Sequence, residues 1–128
     1  MIIATIDIGG TGIKFASLTP DGKILDKTST PTPETLEDLL AWLDQRLAEQ
    51  DYSGIAMSVP GAVKQETGVI EGISAVPYIH GFSWYEALAH HKLSVHLEND
   101  ANCVGLSELL AHPEIENAAC VVIGTGIG

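Results

Sequence analysis

Residues 2–8 are almost continuously apolar and rich in β-branched side chains, which predicts a strand covered on both faces. Gly9-Gly10-Thr11-Gly12 interrupts the run as a tight turn, and residues 13–18 read as a second strand. Pro20-Asp21-Gly22 is a turn signal, and a third strand fits residues 23–30. The three would form an antiparallel meander. Thr32-Pro33-Glu34 then predicts a helix start, with Thr32 as N-cap, Pro33 at the first helical position and an acid in the first turn. Leu36, Leu39, Leu40, Leu43 and Leu47 recur at helical spacing, so one face is apolar as far as Ala48 and belongs to the core.

Residues 54–59 form a buried apolar strand stopped by Pro60-Gly61, and residues 62–82 read as loop and hairpin. A short helix fits residues 84–91, a strand residues 94–98, and a helix residues 100–112, ended by Pro113. A last apolar strand is expected at residues 118–123, running into Gly124-Thr125-Gly126-Ile127-Gly128. The pattern is α/β with mixed strand directions. An apolar strand followed by a bare glycine loop is a poor place for a domain to stop. The expected division is therefore one domain over residues 1–117, with residues 118–128 opening a second.

The 128-residue length and 45% apolar content supply a real core and argue against disorder. The formal charge of −11 speaks against non-specific binding to nucleic acid or anionic membranes, which runs on Lys and Arg. It leaves small anions open, because backbone amides and a metal ion can hold a phosphate. The first residues have no basic region before the apolar run, unlike a signal peptide. Cys103 and Cys120 read as reduced thiols of a cytoplasmic protein.

Two segments carry candidate chemistry. In Asp7-Ile8-Gly9-Gly10-Thr11-Gly12-Ile13-Lys14 a glycine turn joins two strands. A Walker A loop is absent, and the dinucleotide-binding pattern fails at Phe15. The turn is either an ordinary tight turn or a phosphate cradle. As a cradle, the amides of Gly9, Gly10 and Gly12 can approach oxygens that a Cβ would block. Thr11 adds a hydroxyl, Lys14 a positive charge, and Asp7 can hold a hydrated Mg²⁺. Asp100 opens a helix, so it is either a cap or, with its carboxylate ionised beside the helix N-terminus, a general base. The five histidines show no spacing typical of metal ligands, and His90-His91 reads as a surface turn.

These segments resemble motifs of the ROK family (repressor, open reading frame, kinase), within the actin–hexokinase–heat-shock-chaperone superfamily. Asp7-Ile8-Gly9-Gly10-Thr11 resembles its first phosphate motif, Pro60-Gly61-Ala62-Val63 its PGxV loop, and Glu98-Asn99-Asp100-Ala101-Asn102 its NDAN motif. Gly124-Thr125-Gly126-Ile127-Gly128 resembles the start of its second phosphate motif. Two positions depart: Gly12 stands where the family often has Lys, and Lys64 where it often has Asp.

The resemblance implies a ribonuclease H-like, actin-like ATPase domain and an ATP- and Mg²⁺-dependent sugar kinase. Asp100 would be the base, and Asn99, Gly61 and Ala62 would contact sugar. Gly9, Gly10, Thr11, Gly12, Lys14, Thr125 and Gly126 would serve the nucleotide, and Asp7 the metal through water. His80 would lie in a loop near the sugar, and Ser107-Glu108 would match a Gly-Glu of the family. Residues 60–82 would bear on sugar selectivity. The implied partners are sugar and ATP, with no nucleic acid or membrane, and a homodimer in the complete protein. The alternatives are a non-enzymatic ROK-type sugar-sensing regulator or another ATPase of the superfamily. The first strand begins at Ile2, so no helix-turn-helix is expected ahead of it, and the NDAN segment speaks against the other ATPases.

Overall fold

Three strands come first in the computed structural model, which describes residues 1–123: β1 (Ile3–Ile8), β2 (Gly12–Leu18) and β3 (Ile24–Pro31). Helix α1 (Leu36–Leu47) leads to β4 (Gly54–Val59) and a small hairpin of β5 (Ala62–Lys64) and β6 (Val69–Glu71). After a 3-10 turn at Pro77–Ile79 come α2 (Trp84–Ala87), a second 3-10 turn (Ala89–His91), β7 (Ser94–Asn99) and α3 (Asp100–Ala111). The main sheet runs β3-β2-β1-β4-β7. The first three strands are antiparallel, and β4 and β7 lie parallel to β1. The helix between β1 and β4 is the crossover that a parallel pair requires.

Strand alternation divides the sheet into two unlike faces. Ile6 pairs with Phe15 and Met57, and Met57 with Leu97, all nearly solvent-free. Leu39, Leu43 and Leu47 of α1 join the same core, as the leucine spacing predicts. Phe15 is packed edge-on by Trp42 and Tyr52. Trp84, fully buried, donates its indole N–H to Ile79 O at 3.0 Å, which satisfies the one polar atom of the ring.

Among the described residues the opposite face is only partly covered, where the sequence predicts cover on both sides. Ile3, Thr5 and Asp7 are half-buried and alternate with the buried Ala4, Ile6 and Ile8. Thr5, Ala16, Ala56 and His96 form one row of a groove of about 710 Å³, and Asp7, Lys14, Ser58 and Glu98 form the next. Among the described residues, Cys103 and Leu106 of α3 are its only helical wall. An apolar run alone does not reveal which face has a neighbour.

Two helix caps also differ from expectation. Thr35, not Thr32, caps α1: its side chain accepts from the Asp38 amide at 3.2 Å. Thr32 instead donates its hydroxyl to Gly9 O at 2.6 Å, and its amide bonds Thr11 O at 3.2 Å. Asn99, not Asp100, caps α3. The expected strand at 118–123 is absent: residues 118–122 have no regular structure, and Ile123 makes an isolated bridge. Among the described residues no strand pairs with this run in a ladder, so β-propensity has nothing to act on.

Leu43 is fully buried against the sheet, so Leu43→Ala is expected to destabilise the fold by about 2–5 kcal/mol. Denaturant titration of the two proteins measures this, with α-helix loss followed by circular dichroism.

Candidate active site

Parallel pairing brings the carboxyl ends of β1, β4 and β7 together, where open α/β sheets gather ligands. Lys14 pairs with Asp7, Asp7 with Ser58, and Ser58 with Glu98, so four polar side chains cross four strands in one row. Lys14 Nζ lies 3.8 Å from Asp7 Oδ2. Both are substantially exposed, so this loose pair contributes little stability and leaves both groups free for a ligand. Beneath the row sits Cys103. Burial pushes its thiol up, the Ser58 hydrogen bond opposes this, and the charges of Glu98, Asp7 and Asp100 push the same way as burial. Cys103 is thus a protonated wall rather than a nucleophile.

The glycine turn closes on itself through the Gly9 amide and Gly12 O at 3.0 Å. A Cβ on Gly9 would stand 2.9 Å from Gly12 O, and one on Gly10 would stand 2.8 Å from Ala75 Cβ. Space, rather than unusual backbone angles, demands glycine here. Among the described residues neither the Gly10 nor the Thr11 amide has a backbone partner. Two donors are therefore available beside Asp7, with Thr32 bracing the turn from below.

Asn99 organises the other side. Its Oδ1 accepts from the amides of Ala101 at 3.0 Å and Asn102 at 3.3 Å, while its Nδ2 donates to Gly61 O at 2.7 Å. Glu98 Oε1 accepts from the Asn99 amide at 2.8 Å and from Asn102 Nδ2 at 2.9 Å. Asp100 occupies the first turn of α3, exposed, with Oδ1 accepting from the Ala101 amide at 2.8 Å. Three successive side chains are thus fixed by one helix start.

Gly61 adopts φ +103°, and a Cβ there would meet Glu71 O at 2.7 Å and His80 Cε1 at 2.9 Å. His80 therefore packs beneath the Gly61 loop. Its Nε2 pairs with Ser74 Oγ at 2.7 Å, and its buried Nδ1 has no partner among the described residues. Ala62 begins β5, exposed. Lys64 bonds Glu71 Oε1 across the hairpin at 2.8 Å, and that hydrogen bond raises its pKa. This departure from the family pattern is spent on the hairpin. Glu108 stands exposed two turns along α3.

The structure thus brings Asp7, the glycine turn, Asn99 and Asp100 to one rim, with Gly61 held at its edge. Thr125 and Gly126 lie outside the described residues. Sequence reasoning missed Glu98, Ser58 and Ser74. Glu98 was in plain view beside Asn99, whereas the position of Ser58 follows only from the strand register. It also missed that Asp44 approaches the His90-His91 turn, a correction to the reading of that turn as lacking a ligand pattern.

A match to the ROK family spans residues 3–128. The chain belongs to the ROK family. Its sheet is the actin-like ATPase fold of ROK structures. Over 133 residues it is 40% identical to a β-glucoside kinase of Listeria monocytogenes, covering all of this chain and 45% of that protein. A ROK family protein from Streptococcus pneumoniae, solved with sucrose, superposes with a TM-score of 0.96 at 89% identity, over 100% of this chain and 44% of the other. A putative N-acetylmannosamine kinase from Listeria monocytogenes gives 0.90 at 38% identity, over 100% and 46%. The ROK chain spans a little under half the length of these relatives.

Because Gly10 faces Ala75 so closely, Gly10→Ala is expected to cost about 1–3 kcal/mol through overpacking. Thermal unfolding of the two proteins tests it, and an unchanged midpoint would contradict the close approach.

Proposed function

We propose that this chain is the N-terminal part of an ATP-dependent sugar kinase. The observation that carries the reading is the meeting of the glycine turn and the Asn99-Asp100 helix start at one rim of the sheet. The donors suit the nucleotide and metal: amides and a hydroxyl for phosphate oxygens, and a half-exposed carboxylate oxygen for a hydrated hard cation. ATP supplies the phosphoryl group when bound, and Mg²⁺ neutralises charge on its phosphates.

The amides of Gly10 and Thr11 and the Thr11 hydroxyl donate to phosphate oxygens, with Gly9 and Gly12 closing the turn. Asp7 holds the metal through water, and Lys14 adds positive charge. Asn99, Gly61 and Ala62 contact the sugar. Asp100 orients the attacking hydroxyl and takes its proton at the free carboxylate oxygen. Residues 1–117 form one domain in this reading. Residues 118–128 begin the second, with Thr125 and Gly126 serving the nucleotide.

A glucoside acceptor has the best support. The Listeria relative is named a β-glucoside kinase, and sucrose, held by the Streptococcus pneumoniae protein, is itself a glucoside.

Coupled detection of ADP release by the full-length protein tests the reading, with β-glucosides, sucrose, glucose and N-acetylmannosamine as acceptors. Turnover of none of them overturns it. In that protein Asp100→Asn should lower kcat by about 10²-fold or more, from loss of the base. Near-normal turnover would remove Asp100 from the role. Residues 1–128 alone are expected to be inactive, and turnover within about tenfold of the full-length protein would contradict the need for a second domain to close the cleft.

A further inference from the structure

Asp44 lies near the end of α1, and His90 and His91 belong to the 3-10 turn that precedes β7. Sequence separates them by 46 and 47 positions, yet their donor atoms converge. Asp44 Oδ1 stands 2.9 Å from His90 Nε2 and 2.7 Å from His91 Nε2. All three donor atoms lie within 4.8 Å of one another, the one such group of His, Cys, Asp and Glu among the described residues. We propose that Asp44, His90 and His91 bind a divalent transition-metal ion of the zinc class.

The donor chemistry selects the ion. Two imidazole nitrogens and one carboxylate oxygen suit Zn²⁺, Ni²⁺ or Cu²⁺, whereas Mg²⁺ and Ca²⁺ require oxygens. Two of the three ligand separations are close to what a tetrahedral ion needs. Ligand atoms about 2.0–2.1 Å from such an ion lie about 3.3 Å apart. The two N···O distances therefore have to open by about half an ångström, within the reach of side-chain rotation.

The site is half prepared and half open. The His91 side chain is only 15% exposed, so its packing holds it in place. His90 is 57% exposed and Asp44 47%, which gives an ion a way in and leaves room for a water as fourth ligand. Partial burial opposes charge on Asp44, but the hydrogen bonds to His90 and His91 outweigh it and hold the carboxyl below its usual value. The oxygen is thus anionic at neutral pH. Among the described residues no Lys or Arg forms an ion pair with Asp44. Binding takes the place of the Nε2 protons. Each ring then carries its remaining proton on Nδ1, and any second proton is released on binding.

A bound ion would staple α1 to the turn that feeds β7. It involves none of Asp7, Asn99 or Asp100, so it stands whether or not the kinase reading does.

Zn²⁺ and Ni²⁺ titration of the full-length protein against a chromophoric chelator tests the proposal. The wild type is expected to bind one equivalent more of each ion than His90→Asn/His91→Asn, with a dissociation constant below about 10 µM. Counting the difference sets aside any other metal site in the longer chain. His90→Asn alone, at an exposed position, should keep the fold and weaken this equivalent by about tenfold or more. The added ion should also raise the melting temperature of the wild type and not of the variant. Equal stoichiometry in the wild type and the double variant would overturn the proposal, as would a melting temperature raised equally in both.

Discussion

The in-register parallel pairing of β1 with β4, and of β4 with β7, is the constraint on which the remaining geometry rests. A shift of one residue in either pair would send Asp7, Ser58 or Glu98 to the core face and an isoleucine or leucine to the rim. The register is held by the closed face. Ile6, Met57 and Leu97 lie in one row there, and the leucines of α1 close over the core to which that row belongs. Burial on one side of the sheet thus aligns the polar row on the other. That is how a hydrophobic core some distance away aims a carboxylate.

Asn99 connects that row to the neighbouring loop. Strand β7 ends where α3 begins, with no intervening turn, so the strand hands its direction straight to the helix. Glu98 is set by the strand, Asn99 by the cap and Asp100 by the first helical turn. The Gly61 loop is tied to the same point through a single hydrogen bond and supported from beneath by His80 and Ser74. Glycine at position 61 is required twice over, by the positive φ and by the close approach of Glu71 O.

Much of this was legible in the sequence because it depends on local chemistry. The strands β1 and β2, the leucine stripe of α1 and the glycine turn each announce themselves within a short window. The α3 start was placed correctly while its cap was misassigned. Asn99 and Asp100 both suit that position, and only the backbone decides which side chain faces the free amides. Thr32 was misread for a longer-range reason. It precedes Pro33 and resembles a cap, yet Gly9 O, 23 positions earlier in sequence, takes its hydroxyl first. The meeting of Asp44 with His90 and His91 had no local signal, because nothing in the spacing reveals that the end of α1 packs against that turn.

The Asn99 side chain has a sense of direction. One end of its amide meets two donors, and the other meets an acceptor. A carboxylate of the same shape would satisfy the helix but turn a lone pair toward the Gly61 carbonyl, and a hydroxyl is too short to span both. Position 99 therefore admits one side chain for reasons of folding, before any substrate is considered. An evolving lineage could not change this side chain without first finding another way to assemble the scaffold, so variation is channelled to neighbouring positions where the side chains hold nothing up.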